Sequence, residues 1–350
     1  MTSLATPLVV VVFVAGSVAT WTAGIVLSKS TDSLDRRFGL GEELGGLILL
    51  AIAGTLPEIA IVASASVAGH LDIAVGNLIG GIAMQTLVLV ALDAASGPKR
   101  PLSYLVGSLT PVVEALIVVV CLATVLAGAA LPASTSVGGV SPTSIAVVLF
   151  WLGGVWIVNR VRTRTDWHVE MPGSRPGRRN VREDHPLEQR PFVNRSTALV
   201  AGVFALAAGI TLAAGVALES SGNVLADRMG LQGAIFGATV LAAATALPEI
   251  SSGIAAVRLG DHQLAVGDIL GGNSFQLTLF LLADLLAGTP VIVAEQGSDV
   301  WLGGAGLLMT GIAAAAVIAR PKRTYLRLGI DSLALIAVYA ATVVFLPKVT

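Results

Sequence analysis

The sequence predicts an all-α polytopic membrane protein, with about ten transmembrane helices arranged as two inverted five-helix repeats. Three observations lead there. The 350 residues are 55% hydrophobic and only 12% charged, about half the charge of a soluble chain, and the apolar residues fall in long charge-free blocks. Lys and Arg collect on alternate loops. Positions recur at a constant offset of 191.

The blocks come first. A span needs about 20 apolar residues. Ten can be drawn: Leu8–Ser28, Leu44–Ala68, Ile73–Leu92, Leu102–Leu131 and Ser144–Val161, then Thr197–Leu218, Ala234–Val257, Leu264–Ala287, Val300–Ala319 and Leu326–Phe345. The leader Met1–Pro7 has no basic residue and no clear cleavage site follows, so the first block is expected to stay as a helix. With the N-terminus outside, 19 of the 21 Lys and Arg fall in inner loops, and only Arg228 and Lys348 lie outside. That split is the positive-inside pattern. Both termini are thus expected outside in the cell membrane, and the linker cytoplasmic. A net charge of −1 does not suggest a nucleic-acid partner. Protein partners are not legible. Cys121 is the one cysteine, so no internal disulfide can form.

The organisation follows: a first repeat over 1–160, a basic linker over 161–195 and a second repeat over 196–350. The linker region is rich in Arg, Pro, Gly and Asn and has no apolar period. His168 and His185 lie there with Asp166, Glu183 and Asp184. They read as solvated charges, with a regulatory metal site as the alternative.

The repeat motifs cover about 44–93 and 234–284. Leu56-Pro57-Glu58-Ile59 matches Leu247-Pro248-Glu249-Ile250, and Ala74-Val75-Gly76 matches Ala265-Val266-Gly267. Gly24, Gly69, Gly80-Gly81, Gln85 and Asp93 match Gly215, Gly260, Gly271-Gly272, Gln276 and Asp284 in the same register. Each unit holds five spans. Five is odd, so the second unit enters from the opposite side, and such transporters bind ions near the midplane where the repeats meet.

Glu58 and Glu249 fall in the middle of apolar blocks. A carboxylate there costs roughly 2.5–3.5 kcal/mol by conservative scales, which binding a cation would offset. A structural carboxyl between helices is the bland alternative, and two at matched positions weaken it. Each follows a proline, which removes the hydrogen bond to the carbonyl four residues back, that of Ala53 or Ala244. Carbonyls so freed can line a cavity and coordinate a cation. Thr55 and Thr245 add hydroxyls. In the next helix Asn77 and Asp268 are matched oxygen donors. The candidate ligand set is therefore Glu58, Glu249, Asn77 and Asp268, with Thr55, Thr245, Ala53 and Ala244 beside them. These are hard oxygen ligands suited to Ca²⁺ or Na⁺. No His or Cys is near by sequence, which argues against Zn²⁺ or Cu⁺.

Ala53-Gly54-Thr55-Leu56-Pro57-Glu58 and Ala244-Thr245-Ala246-Leu247-Pro248-Glu249, each followed by Gly76-Asn77 through Gln85 or Gly267-Asp268 through Gln276, resemble the two alpha repeats of the calcium/cation antiporter superfamily. The resemblance implies that Glu58 and Glu249 ligate Ca²⁺ with help from Asn77 and Asp268. It also implies alternating access, with the first and sixth spans sliding against the other eight. Within the drawn bounds those two spans carry no acidic residue. The chain departs from the family pattern at Ala246, Gly81 and Gly272, where Ser is usual, at Ile82 for Asn, and at Gln85 and Gln276 for Asn. The principal divalent ligands remain while several Na⁺-type ligands do not, so Na⁺, H⁺ and K⁺ stay open as counter-ion. The expected function is exchange of Ca²⁺ for Na⁺ or H⁺, without cofactor or catalysis. A passive cation channel and an antiporter for another divalent cation are the alternatives. No Ser/His/Asp set or two-aspartate signature suggests an intramembrane enzyme.

Overall fold

In a computed structural model, residues 1, 3–38, 51–164, 192, 194–292 and 297–349 are described. The start of the second apolar block, and nearly all of the linker with His168 and His185, lie outside the described residues. The helices are α1 (Thr6–Phe38), α2 (Leu56–Ala68), α3 (Leu71–Ser96), α4 (Thr110–Ala129), α5 (Pro142–Arg164), α6 (Thr197–Met229), α7 (Gly233–Thr245 with Leu247–Arg258), α8 (His262–Gln276 with Leu279–Ala287), α9 (Gly297–Ala319) and α10 (Ile330–Phe345). Among the described residues eight are long and apolar enough to cross a membrane, and the bent α7 makes nine. The shorter apolar α2 completes the ten-helix layout.

The drawn spans need two corrections. First, α1 and α6 run on to Phe38 and Met229, so they contain Asp32, Asp35, Glu219 and Asp227. Hydropathy falls where charges begin, but the backbone bonds of a helix do not depend on it. At 33 residues each, these helices are about 50 Å long and outreach a hydrocarbon core of about 30 Å. Second, the fourth block is split into a short helix, Leu102–Leu105, and α4. Pro111 sits in the first turn of α4, where its missing N–H has no partner to lose.

The most buried helix is α3, with 83% of its apolar window inside the protein against 22% for α1 and 28% for α6. Thus α3 is central, and α1 and α6 form a peripheral pair. That pair is antiparallel and clasped at both ends. Arg37 donates to the Thr197 hydroxyl at 3.0 Å and to the carbonyls of Phe192 and Arg195. Arg228 donates to the Thr6 hydroxyl at 2.9 Å and to the Leu4 carbonyl. Arg37 and Arg228, like Thr6 and Thr197, are 191 positions apart.

The cores mix the two repeats. One joins Val75, Ile79 and Ile82 of α3 to Phe280 and Leu302. Another joins Leu89 and Leu92 to Val266, Ile269 and Met309. Glycines let backbones meet. A Cβ on Gly76 would lie 2.4 Å from the Ala234 carbonyl oxygen, and one on Gly80 would meet Ala238 at 2.1 Å. Only a missing side chain permits that approach.

The matched acids Asp93 and Asp284 are fully interior ties. Asp93 accepts from the amides of Leu102 and Gly329 and the hydroxyl of Ser332, each at 2.6 Å. Asp284 accepts from the amides of Val291 (2.7 Å) and Ser141 (2.9 Å) and the Ser144 hydroxyl (2.7 Å). Each carboxylate thereby caps the N-terminus of a distant helix, α10 or α5, where the helix dipole favours negative charge.

Candidate ion-binding site

Both repeats break the helix at the same place. Thr55 and Ala246, 191 apart, are the non-helical residues between the half-helices. Backbone bonds bracket each break alike: Thr55 N to Ala51 O (3.1 Å) and Ile59 N to Thr55 O (2.9 Å), against Ala246 N to Ala242 O (3.0 Å) and Ile250 N to Ala246 O (3.1 Å). Pro57 and Pro248 sit in the first turn of the new half-helix. Having no N–H, they leave the carbonyls of Ala53 and Ala244 without the bond a regular helix would give. The bend in α7 is 43°, and π-helical Gly237–Leu241 precedes it. Gly69 and Gly260 follow the two elbow helices with φ of +79° and +84°, a backbone region glycine enters without strain.

This local structure puts Glu58 and Glu249 in the first turn of half-helices, where the dipole end is positive. Glu58 is buried, at 1% exposure. Its Oε1 accepts from Gln85 Nε2 at 3.2 Å. Glu249 and Asp268 are half-buried. The charges of Glu58 and Asp268 both act on Glu249. Asn77 is buried at 1% exposure. Glu58 Oε2, Glu249 Oε2 and both polar atoms of the Asn77 amide are buried with no hydrogen-bond partner among the described residues. Buried polar groups are nearly always paired, and at these three motif residues they are not.

Thr55 and Thr245 turn their hydroxyl protons back to their own helices, to Ala51 O at 2.8 Å and Ala242 O at 3.2 Å. No three His, Cys, Asp or Glu side chains among the described residues form a preassembled metal cage.

Three further residues belong to the site's surroundings. Gln85 holds Glu58, as above. Gln276 Nε2 donates to the carbonyls of Asn77 and Leu78, each at 3.1 Å, and so tethers the Asn77 backbone. It also explains Gly81: a Cβ there would lie 2.5 Å from Gln276 Nε2, so a serine at 81 would displace the amide. Asn273 is buried, donates to the Thr86 hydroxyl at 3.3 Å and keeps an unpaired Oδ1. The constant repeat offset flags Gln85 and Gln276 as a pair. Asn273 has no polar partner in that register, since Ile82 stands opposite it. Asp32, at the far end of α1, acts on Asp268 through its charge. An apolar-block reading ends α1 before it.

Three comparisons bear on this architecture. The chain is 25% identical over 268 residues to the putative antiporter CaxA of Alkalimonas amylolytica, covering 76% of this chain and 77% of that one. Its fold superposes on the H⁺/Ca²⁺ exchanger CAX with a TM-score of 0.67 at 11% identity, covering 97% of this chain and 87% of that one. The sodium-calcium exchanger NCX_Mj gives 0.59 at 16% identity, covering 97% and 99%. Residues 8–160 and 199–347 match the family described as sodium/calcium exchanger protein. That match spans both elbows and both core repeats, and the chain belongs to this family of membrane cation exchangers.

Proposed function

We propose that the chain exchanges Ca²⁺ for Na⁺ or H⁺ by alternating access, at a midplane site formed by Glu58, Glu249, Asn77 and Asp268. The hydroxyls of Thr55 and Thr245 and the carbonyls of Ala53 and Ala244 complete the oxygen set. The observation that carries this reading is the group of orphan oxygens on Glu58, Glu249 and Asn77, set beside two proline-freed carbonyls. Ca²⁺ takes six to eight oxygens in flexible geometry, which suits ligands spread over two facing elbows. An H⁺/Ca²⁺ exchanger and a sodium-calcium exchanger share this fold, so either counter-ion is compatible with it. α1 and α6 act as the gate: they form a peripheral pair, and the arginine clasps make them one body. The N-terminus faces outside and the linker faces the cytoplasm, as the Lys and Arg distribution favours. The test is ⁴⁵Ca²⁺ uptake into proteoliposomes under imposed Na⁺ or H⁺ gradients. Acceleration by one trans gradient supports exchange and names the counter-ion. Ca²⁺ flux indifferent to both gradients would overturn it in favour of a channel.

A further inference from the structure

We propose that Glu219, with His70 and Ser64, is a positioning residue for transport: it clasps α6 to the elbow helix α2 at the outer face and sets how readily that face opens. The inference rests on the alternating-access reading above.

Glu219 lies on α6 and is 1% exposed. Its Oε1 meets His70 Nδ1 at 2.7 Å, and its Oε2 accepts from Ser64 Oγ at 2.8 Å and Ser220 Oγ at 3.1 Å. Asn223, one turn on, holds the other ring nitrogen of His70 at 3.1 Å. Ser64 is on α2, whose first turn carries Glu58, and His70 stands between α2 and α3. One buried carboxylate therefore ties the gate helix to the helix carrying a site glutamate. A buried carboxylate is costly unless its partners stay in place, so separating α6 from α2 requires replacing several hydrogen bonds at once. Deeper along the same seam, Gly215 of α6 meets Ala60 and the Pro57 carbonyl. The clasp thus sits over the path to the elbow.

The repeat gives it no counterpart at the inner face. Ser28, Ala255 and Asp261 stand at the positions matching Glu219, Ser64 and His70, and Asp261 caps α8 by accepting from the Leu264 amide at 2.9 Å. The outer tie is not repeated at these matched positions, and it biases the cycle toward the state closed outside. His70 meets the Glu219 carboxylate directly; the neighbouring acid Asp72 faces Gly233 of α7 instead.

The test uses Glu219→Gln, His70→Gln and their double variant in right-side-out and inside-out membrane vesicles. Loss of a hydrogen bond to a charged group shifts a two-state population by about tenfold or more. The KM for external Ca²⁺ is expected to fall and that for internal Ca²⁺ to rise, by up to about tenfold. The double variant should add little to either single one, because both break one contact. A merely structural role would lower Vmax and leave both KM values unchanged; that result, or two KM values moving together, overturns the proposal. A second measurement needs no transported ion. In the Cys121→Ser background, Ala60→Cys sits beneath the clasp, and a membrane-impermeant maleimide should label it about tenfold faster from outside once Glu219 is Gln. Unchanged labelling refutes the clasp even if the transported ion is not Ca²⁺, whereas absent Ca²⁺ exchange with faster labelling refutes only the exchange reading.

Discussion

The two gate helices touch the two elbows through glycines at matched positions, and that contact can be tested by adding one carbon. A Cβ on Gly24 of α1 would lie 2.7 Å from Cβ and Cγ of Pro248, and one on Gly215 of α6 would lie 2.6 Å from Cβ of Ala60 and 2.9 Å from the Pro57 carbonyl oxygen. Carbon atoms pack at about 3.5–4.0 Å, so alanine at either position forces the gate helix back by roughly 1 Å or strains the elbow. Overpacking of this kind costs about 1–3 kcal/mol, a factor of about 5–150 in the population of the closely packed state. On the proposed alternating-access mechanism the gate slides over this seam in every cycle, so Gly24→Ala and Gly215→Ala should each reduce the maximal exchange rate within that range. Equilibrium Ca²⁺ binding to purified protein should change less than about threefold, because no proposed ligand is altered. Gly209→Ala is the internal control, since a Cβ there meets nothing within 4 Å. The assay is initial ⁴⁵Ca²⁺ uptake into proteoliposomes at matched reconstitution. If Gly24→Ala and Gly215→Ala run at the rate of Gly209→Ala, the elbows are not the surface on which the gate moves.

Glu58→Gln or Glu249→Gln should abolish Ca²⁺ uptake, because each removes a charge that a desolvated divalent ion needs; near-normal uptake by either would place the site elsewhere. Asp268→Asn should change the dependence on the counter-ion gradient more than it changes Ca²⁺ binding, since Asp268 reaches Glu249 through its field; unchanged gradient dependence in the uptake assay rejects this. Asp93→Asn and Asp284→Asn should destabilise rather than uncouple: each loses hydrogen bonds to a charged group worth about 1.5–3 kcal/mol, visible as a lower Tm in detergent with the Ca²⁺ KM unmoved. Single cysteines at Gly16 and Gly209 in the Cys121→Ser background should change thiol accessibility when Ca²⁺ replaces the counter-ion, and indifference at both positions argues against α1 and α6 as the gate.

Much of the fold was legible because a bilayer makes the code coarse. Every backbone polar group must be satisfied internally, so an apolar block of sufficient length has few alternatives to a helix. The elbows were legible for a different reason. Proline next to glutamate in such a block is a double violation of helix and membrane rules, and its recurrence at a constant offset leaves little room for accident. Helix ends were less legible. Hydropathy reports where hydrocarbon stops, not where a helix does, and α1 therefore hid Asp32 and Asp35 while α6 hid Glu219. The roles of Asp93 and Asp284 were also out of reach. Their matched positions were plain, but the partners come from α10 and α5, through contacts such as Ser332 and Ser144 that lie far away in sequence. Gln276 belongs to the same class, because its amide acts on the backbone of the other repeat.

The inverted repeat raises a question of balance. Were the halves chemically identical, inward and outward states would be related by the pseudo-two-fold axis and equal in energy, and nothing in the chain would favour either. The backbone comes close to that condition: the breaks at Thr55 and Ala246 carry the same bracketing bonds, and the arginine clasps of α1 and α6 use matched residues. The polar side chains do not. Gln85 donates to a site glutamate, whereas its counterpart Gln276 donates to the backbone beside Asn77. Asn77 is neutral where Asp268 is charged. Glu219 is tied to His70 where Ser28 and Asp261 stand opposite. Each difference is local and worth no more than a few kcal/mol, yet between two nearly degenerate states that is enough to shift the population several hundredfold. On the alternating-access reading, the symmetric elements make the two states available and the asymmetric side chains decide how often each is occupied.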